Sequence, residues 1–175
     1  MTRRGRSLWR DRRGGAMVEF AIVLPFMLLL LIGFAEGIQM LEAHRRVSRA
    51  ASTIGDLAAQ YRTLSDSQIA DILVAGQLVV EPMPTSTLGL RLMSFSADAN
   101  GTVRKDWAKD GTTPYAGTAP DSVPSGTLKA NQGIVVADAS YVYVPMARWI
   151  VPSNINLQKR MLLRPRIADA VTRTP

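Results

Sequence analysis

The hydrophobic pattern divides the chain into stretches of different period. From Phe20 to Ala35 the residues FAIVLPFMLLLLIGFA carry no charge, and counting back through Ala16, Met17 and Val18 extends the run to 20 residues interrupted only by Glu19. As a helix, 20 residues span about 30 Å, the thickness of a bilayer's hydrocarbon core. A core helix of a soluble protein shows a polar face, whereas Leu28 to Ile32 is apolar all round, so the run is read as a membrane helix. Pro25 is compatible with that reading, because proline is tolerated in membrane helices. Beyond the run, Ile38, Leu41, Val47, Ala51, Ile54, Ala58 and Tyr61 recur at three- and four-residue steps. The same helix is therefore expected to continue as an amphipathic one, with Arg45, Arg46, Arg49, Asp56 and Arg62 mostly off the apolar stripe. Gly37 and Gly55 should weaken it at two points. Ser65-Asp66-Ser67-Gln68 has the spacing of a capping box and predicts a second helix, with Ile69, Ile72, Leu73 and Gly76 on its buried face. Pro82 and Pro84 should end it.

From Thr87 the period changes to two. Leu88, Leu90 and Leu92 alternate with Gly89 and Arg91, which predicts a half-buried strand to about Ala97. Asp98-Ala99-Asn100-Gly101 reads as a turn, returning through a second strand over Thr102 to Ala108. Gly111 to Thr127 is rich in Gly, Thr, Ser and Pro, and reads as a mobile surface loop rather than a contact segment. Gly133 to Met146 is the clearest strand region, and Ile155, Leu157, Met161 and Leu163 suggest a last strand. The expected fold is α+β: a long N-terminal helix, its first half in the membrane, packed through its second half on a small antiparallel sheet of four strands.

Composition narrows the function. The 175 residues make about one domain. With no cysteine, disulfides, cysteine metal sites and thiol catalysis are excluded. His44 is the single histidine, and it sits among polar residues, where a solvated side chain is the expectation. The chain shows no glycine-rich phosphate loop, no HExxH and no serine elbow. An enzyme is not expected, nor is a cofactor or a metal. The net charge of +7 suggests nucleic acid until its position is considered. Six arginines against Asp11 in the first 14 residues supply +5, leaving only +2 on residues 15–175, so no nucleic-acid partner is expected. A further basic stretch, Lys159 to Arg173, reads as a solvated edge, with contact to acidic headgroups or a partner as the alternative.

An arginine-rich flank followed by an apolar run has two processing readings. One is a secretory signal peptide, with Gly33 and Ala35 as the small residues before a cut that yields a secreted soluble binding protein. The other is a retained anchor. Glu19 bears on the choice, because a carboxylate at the start of an apolar segment is costly, and an intramembrane ionisable group points to function.

The run Arg12-Arg13-Gly14-Gly15-Ala16-Met17-Val18-Glu19-Phe20 resembles the processing site of type IVb prepilins of the Flp/Tad (tight adherence) class. The segment Val135 to Pro145 and the late Arg164-Pro165-Arg166 resemble the TadE-like minor pseudopilins. The resemblance implies a cut between Gly14 and Gly15 by a membrane aspartyl prepilin peptidase, with Glu19 fifth in the mature chain. A cut one residue on, after Gly15, would make it fourth. It implies Glu19 and Phe20 as assembly contacts, and as partners other Flp/Tad pilins and pseudopilins, an inner-membrane assembly platform and the lipid bilayer. The expected organisation is a basic cytoplasmic leader over residues 1–14, a transmembrane helix over 15–36 and a soluble domain over 37–175. The six arginines before the span outnumber Arg45, Arg46 and Arg49 after it. The expected location is therefore the bacterial inner membrane, with the N-terminus on the cytoplasmic side and the domain periplasmic or extracellular, or in the pilus.

Overall fold

The computed structural model describes residues 14–124 and 126–174. The six arginines of the first 14 residues lie outside the described residues. The longest element is the helix α1 (Gly15–Ala59), 45 residues, which passes through Pro25 without interruption. It is followed by the short strand β1 (Thr63–Ser65) and helix α2 (Asp66–Val80). The strands β2 (Leu88–Ala97), β3 (Val103–Asp110), β4 (Gly133–Tyr143) and β5 (Ile155–Leu163) then form an antiparallel sheet in the order β3-β2-β4-β5. A three-residue strand, β6 (Thr172–Thr174), closes the domain by pairing in parallel with β1.

The two halves of α1 differ as their sequences require. From Met17 to Leu31 the large apolar side chains are exposed, and none of them is buried against the domain. From Ala43 onward one stripe is fully buried: Ala43, Val47, Ala50, Ala51, Ile54 and Ala58 are each no more than 1% exposed. Ile38, Leu41 and Tyr61, expected on this stripe, are instead exposed. The first two lie between the Glu36 contact and the start of the buried stripe at Ala43, and Tyr61 lies past the helix's end. Gly55 does not weaken the helix. It is a point of close approach, where a β-carbon would stand 3.1 Å from Ala137 Cβ on β4 and collide with Leu163 on β5. Gly76 does the same for α2, whose own β-carbon position is taken by Ile54 of α1 and Leu90 of β2. Alanine and glycine on this seam let two helices and a sheet share one layer of side chains at close-packed density.

α2 starts with the capping box. Ser65 Oγ accepts from the Gln68 N–H at 3.3 Å, and the Gln68 side chain accepts from the Ser65 N–H at 2.9 Å. It stops at Val80, one residue short of Glu81-Pro82. The helix-facing side of the sheet carries Leu88, Leu90 and Leu92 of β2 with Val135, Ala137, Ala139, Tyr141 and Tyr143 of β4.

β2 and β4 are buried on both faces rather than one. Behind the sheet, Met93, Phe95, Ile134 and Val136 form a second cluster with Leu128 and Val123. The cover is the Gly/Thr/Ser/Pro segment, which is a contact segment and not the surface loop its composition suggests. Asp138 on β4 explains the difference. Its fully buried carboxylate accepts from Arg91 of β2 (Nη2 2.7 Å, Nε 3.2 Å) and from Arg160 of β5 (Nε 2.7 Å, Nη2 2.8 Å). The two guanidiniums then donate outward to the loop, Arg91 to Ala119 O at 3.1 Å and Arg160 to Ser122 O at 3.0 Å and to Pro120 O. Arg91 also lies over the Tyr115 ring, 4.4 Å from its centroid. Gly89 leaves the space for this crossing, since a β-carbon there would stand 2.8 Å from both Tyr115 Cα and Ser140 Oγ.

The basic stretch Lys159 to Arg173 is not simply a solvated edge. Besides Arg160, Arg166 pairs with Asp56 of α1 at 2.8 Å, and Arg173 pairs with Asp66 at the start of α2 at 2.5 Å. The Arg173 guanidinium holds the Asp66 carboxyl below the usual carboxylate range. Two of the five cations in that stretch tie the C-terminal segment to the two helices, and a third, Arg160, ties β5 to β4.

Candidate functional site

The candidate site is the apolar half of α1 and its junction with the domain. At the far end, Gly14 takes the N-cap position of α1 with φ −76° and ψ −20°. A glycine supplies no capping side chain, so the first N–H groups of the helix point outward unmet by a side-chain cap. Gly14 and Gly15 are exposed, and nothing stands within 4 Å of where a β-carbon would sit on either. Glu19 and Phe20 follow in the first turns and are exposed. In an α-helix Glu19 lies one turn from Gly15, on a neighbouring surface position. The four residues singled out from sequence thus sit together at one end of α1. The structure does not bring them to the domain: Glu36 lies 21 residues further along, about 30 Å at 1.5 Å per residue.

At the near end the structure supplies a feature that sequence reasoning passed over. Glu36, the first charge after the apolar run, is only 7% exposed. Its carboxylate accepts from the Tyr143 hydroxyl at 2.7 Å and from the Ala147 N–H at 3.1 Å. Both partners belong to the end of β4 and the turn after it, more than 100 residues away in sequence. The contact clamps the helix to the sheet at the residue where the bare run ends. Burial of the phenol, reinforced by its bond to the carboxylate, pushes Tyr143 up to about 12. The signal was present in the sequence as an acid terminating an apolar run and a tyrosine alternating in a strand. What the sequence lacks is any indication that the two meet.

Beside the clamp lies an open apolar cavity of about 540 Å³ between α1, the segment after α2 and the end of β4. Its walls include Ile38, Met83, Tyr141 and Met146, with Glu42 and Arg46 at its polar side. Arg46 is oriented by Glu42 at 2.9 Å and by the Glu81 carbonyl. His44 is exposed. Among the described residues no group of three or more His, Asp or Glu is placed to hold a metal. Asp106 and Asp110 both lie on β3, and Asp106 accepts from the Ser96 hydroxyl at 2.7 Å.

The helix is long and apolar enough to be a candidate membrane span, with a mean hydropathy of 2.5 over its richest window and none of that window buried. Comparison with known families matches residues 14–55 to the model described as TadE-like protein, about a quarter of the chain. No curated protein and no solved structure matches the chain. The match opens at the cap residue Gly14 and closes at Gly55, where α1 presses on β4 and β5. From the N-cap glycine to the seam with the sheet, residues 14–55 of this chain are similar to the N-terminal helix region of the TadE-like family.

Proposed function

We infer that the chain is a membrane-anchored minor pseudopilin that takes part in assembling a Tad/Flp-type adhesion pilus. The observation that carries the reading is the coincidence of the TadE-like match with a helix of two characters. Over residues 14–55 the helix is first bare and apolar, then the buried spine of the domain. A helix with about 30 Å of uncommitted apolar surface suits both a bilayer and a bundle of similar helices.

In this reading residues 1–14 are a basic cytoplasmic leader, residues 15–36 cross the inner membrane, and residues 37–175 fold on the other side. A membrane aspartyl prepilin peptidase removes the leader between Gly14 and Gly15, where the lack of side chains leaves the peptide open to attack. The cut creates an α-ammonium on Gly15, one turn from Glu19. Glu19 then pairs with this amine or with that of an adjacent pilin. Either pairing offsets the cost of a carboxylate among Phe20, Ile22 and Leu24. The helix dipole favours a negative charge in the same first turns. Phe20 belongs to the same contact. The assembly platform and the other Flp/Tad pilins are the partners.

Mass spectrometry of the mature N-terminus tests the reading. Gly15 as first residue is expected. Glu36 as first residue would make the chain a secreted protein cut after Ala35, and Met1 an unprocessed anchored protein; either result refutes the pseudopilin.

A further inference from the structure

After β4 the chain makes a short connection to β5 whose surface is unlike the rest of the domain. Val144, Met146, Trp149 and Ile150 are exposed there, Met146 by 78% and Trp149 by 65%, with Arg148 exposed among them. Pro145 and Ala147, between them, are buried. Exposed apolar groups gathered in one segment mark a contact surface.

The position of this connection identifies the contact. Ala147 is held by Glu36 through its N–H, and Met146, Ala147 and Trp149 share a hollow of about 250 Å³ with Ile32, Ala35, Glu36 and Gln39. Ile32 and Ala35 are the last turn of the apolar run. At 1.5 Å per residue, Ile32 lies about 6 Å below Glu36 along the axis. The tryptophan is therefore at the height of the run's final turn, not above it. Wherever that turn meets a bilayer surface, Trp149 meets it too. An amphipathic indole is at its most favourable at headgroup level, and an arginine beside it reaches lipid phosphates.

We propose that residues 144–151 are a second membrane contact, a monotopic loop lying in the headgroup layer of the leaflet through which α1 leaves. The inference rests on the anchored reading above. Its consequence is mechanical. One helix alone leaves a domain to swivel about the helix axis. A second contact, tied to the first through Glu36 and Tyr143, sets the tilt and rotation at which the domain stands over the membrane.

The absence of native cysteine makes a site-specific test direct. The full chain is reconstituted in phosphatidylcholine/phosphatidylglycerol vesicles with a nitroxide at one of four positions: Leu29→Cys in the run, Met146→Cys and Trp149→Cys in the loop, and Asn100→Cys. Asn100 is exposed in the turn after β2, at the end of the sheet away from the clamp. Collision with oxygen, which partitions into lipid, is compared with collision with a water-soluble nickel chelate. The expected result is a several-fold higher oxygen-to-nickel ratio at Met146 and Trp149 than at Asn100, below that at Leu29. Loop labels as open to nickel as Asn100, with Leu29 still in lipid, overturn the loop contact and leave the anchor standing. A Leu29 label in water overturns both. Loop labels shielded from both reagents show a protein partner there instead, and also overturn the proposal. Native tryptophan gives an independent reading: lipids brominated near the headgroup should quench a component of emission that Trp149→Phe removes.

Discussion

Replacing Asp138 by asparagine is the most demanding test of how the domain holds its shape. The substitution keeps the volume and removes the charge. Asp138 is fully buried, while the Arg91 and Arg160 side chains that flank it are 15% and 18% exposed. Four charged N–H···O contacts end on its two oxygens. An asparagine keeps one acceptor but turns an NH₂ group toward at least one arginine N–H, since both carboxylate oxygens accept from guanidiniums. Breaking a buried pair costs about 3–5 kcal/mol, and the residual solvent access of the arginines places this one at the lower end, ~3 kcal/mol. For a domain of this size that corresponds to a fall in Tm of roughly 10 °C. The full chain in detergent micelles provides the assay, with Trp107 as the probe. Its indole N–H donates to Val171 O at 2.8 Å in the core, so its emission reports loss of the fold. A second readout is protease cleavage between residues 111 and 130, because both guanidiniums also hold that segment's carbonyls. A triple variant, Arg91→Met with Asp138→Leu and Arg160→Met, separates the two effects. An apolar replacement of the whole cluster should recover much of the stability, yet the segment should remain cleavable because its donors are gone. If Asp138→Asn melts within about 3 °C of the parent, against the fall expected from a broken buried pair, and the segment stays protected, the cluster is not what holds the loop to the sheet.

Three further outcomes are expected. Gly14→Val should block maturation and leave a product heavier by the leader on a denaturing gel; normal maturation of Gly14→Val with a block from substitution at Gly15 would move the cut one residue on. Glu19→Gln should leave insertion and stability intact but reduce crosslinking to other pilins and piliation, whereas a carboxylate that only snorkels to the headgroups would make the change silent. Tyr143→Phe should lower the melting temperature at neutral pH through loss of the bond to Glu36, and the gap to the parent should close in alkali. The sign follows from the phenol's folded value of about 12, above the ordinary value near 10. The stability it contributes is complete below pH about 10 and is lost as pH rises through 12. A gap constant up to pH 12 would show that the hydroxyl does not act through its proton.

Local order carried much of the architecture. The unbroken apolar run, the stripe through Val47, Ala51, Ile54 and Ala58, the capping box at Ser65 and Gln68 and the alternation at Leu88, Leu90 and Leu92 each express a backbone periodicity within a few residues. They were legible for that reason. Three features were decided only by the tertiary structure, because each joins residues that nothing local relates. The Gly/Thr/Ser/Pro segment looks solvated by composition, but Asp138, Arg91 and Arg160 from three strands converge beneath it and supply its carbonyls with donors. The cations of the last stretch look like a solvated edge until Asp56 and Asp66 of the helices are brought opposite them. Glu36 looks like the end of a hydrophobic run. It becomes a clamp because the antiparallel return of β4 sets Tyr143 and Ala147 against α1 at that turn. Periodicity specifies which face of an element is apolar; which distant polar group meets a buried charge depends on how the elements pack, and a sequence read locally does not contain that pairing.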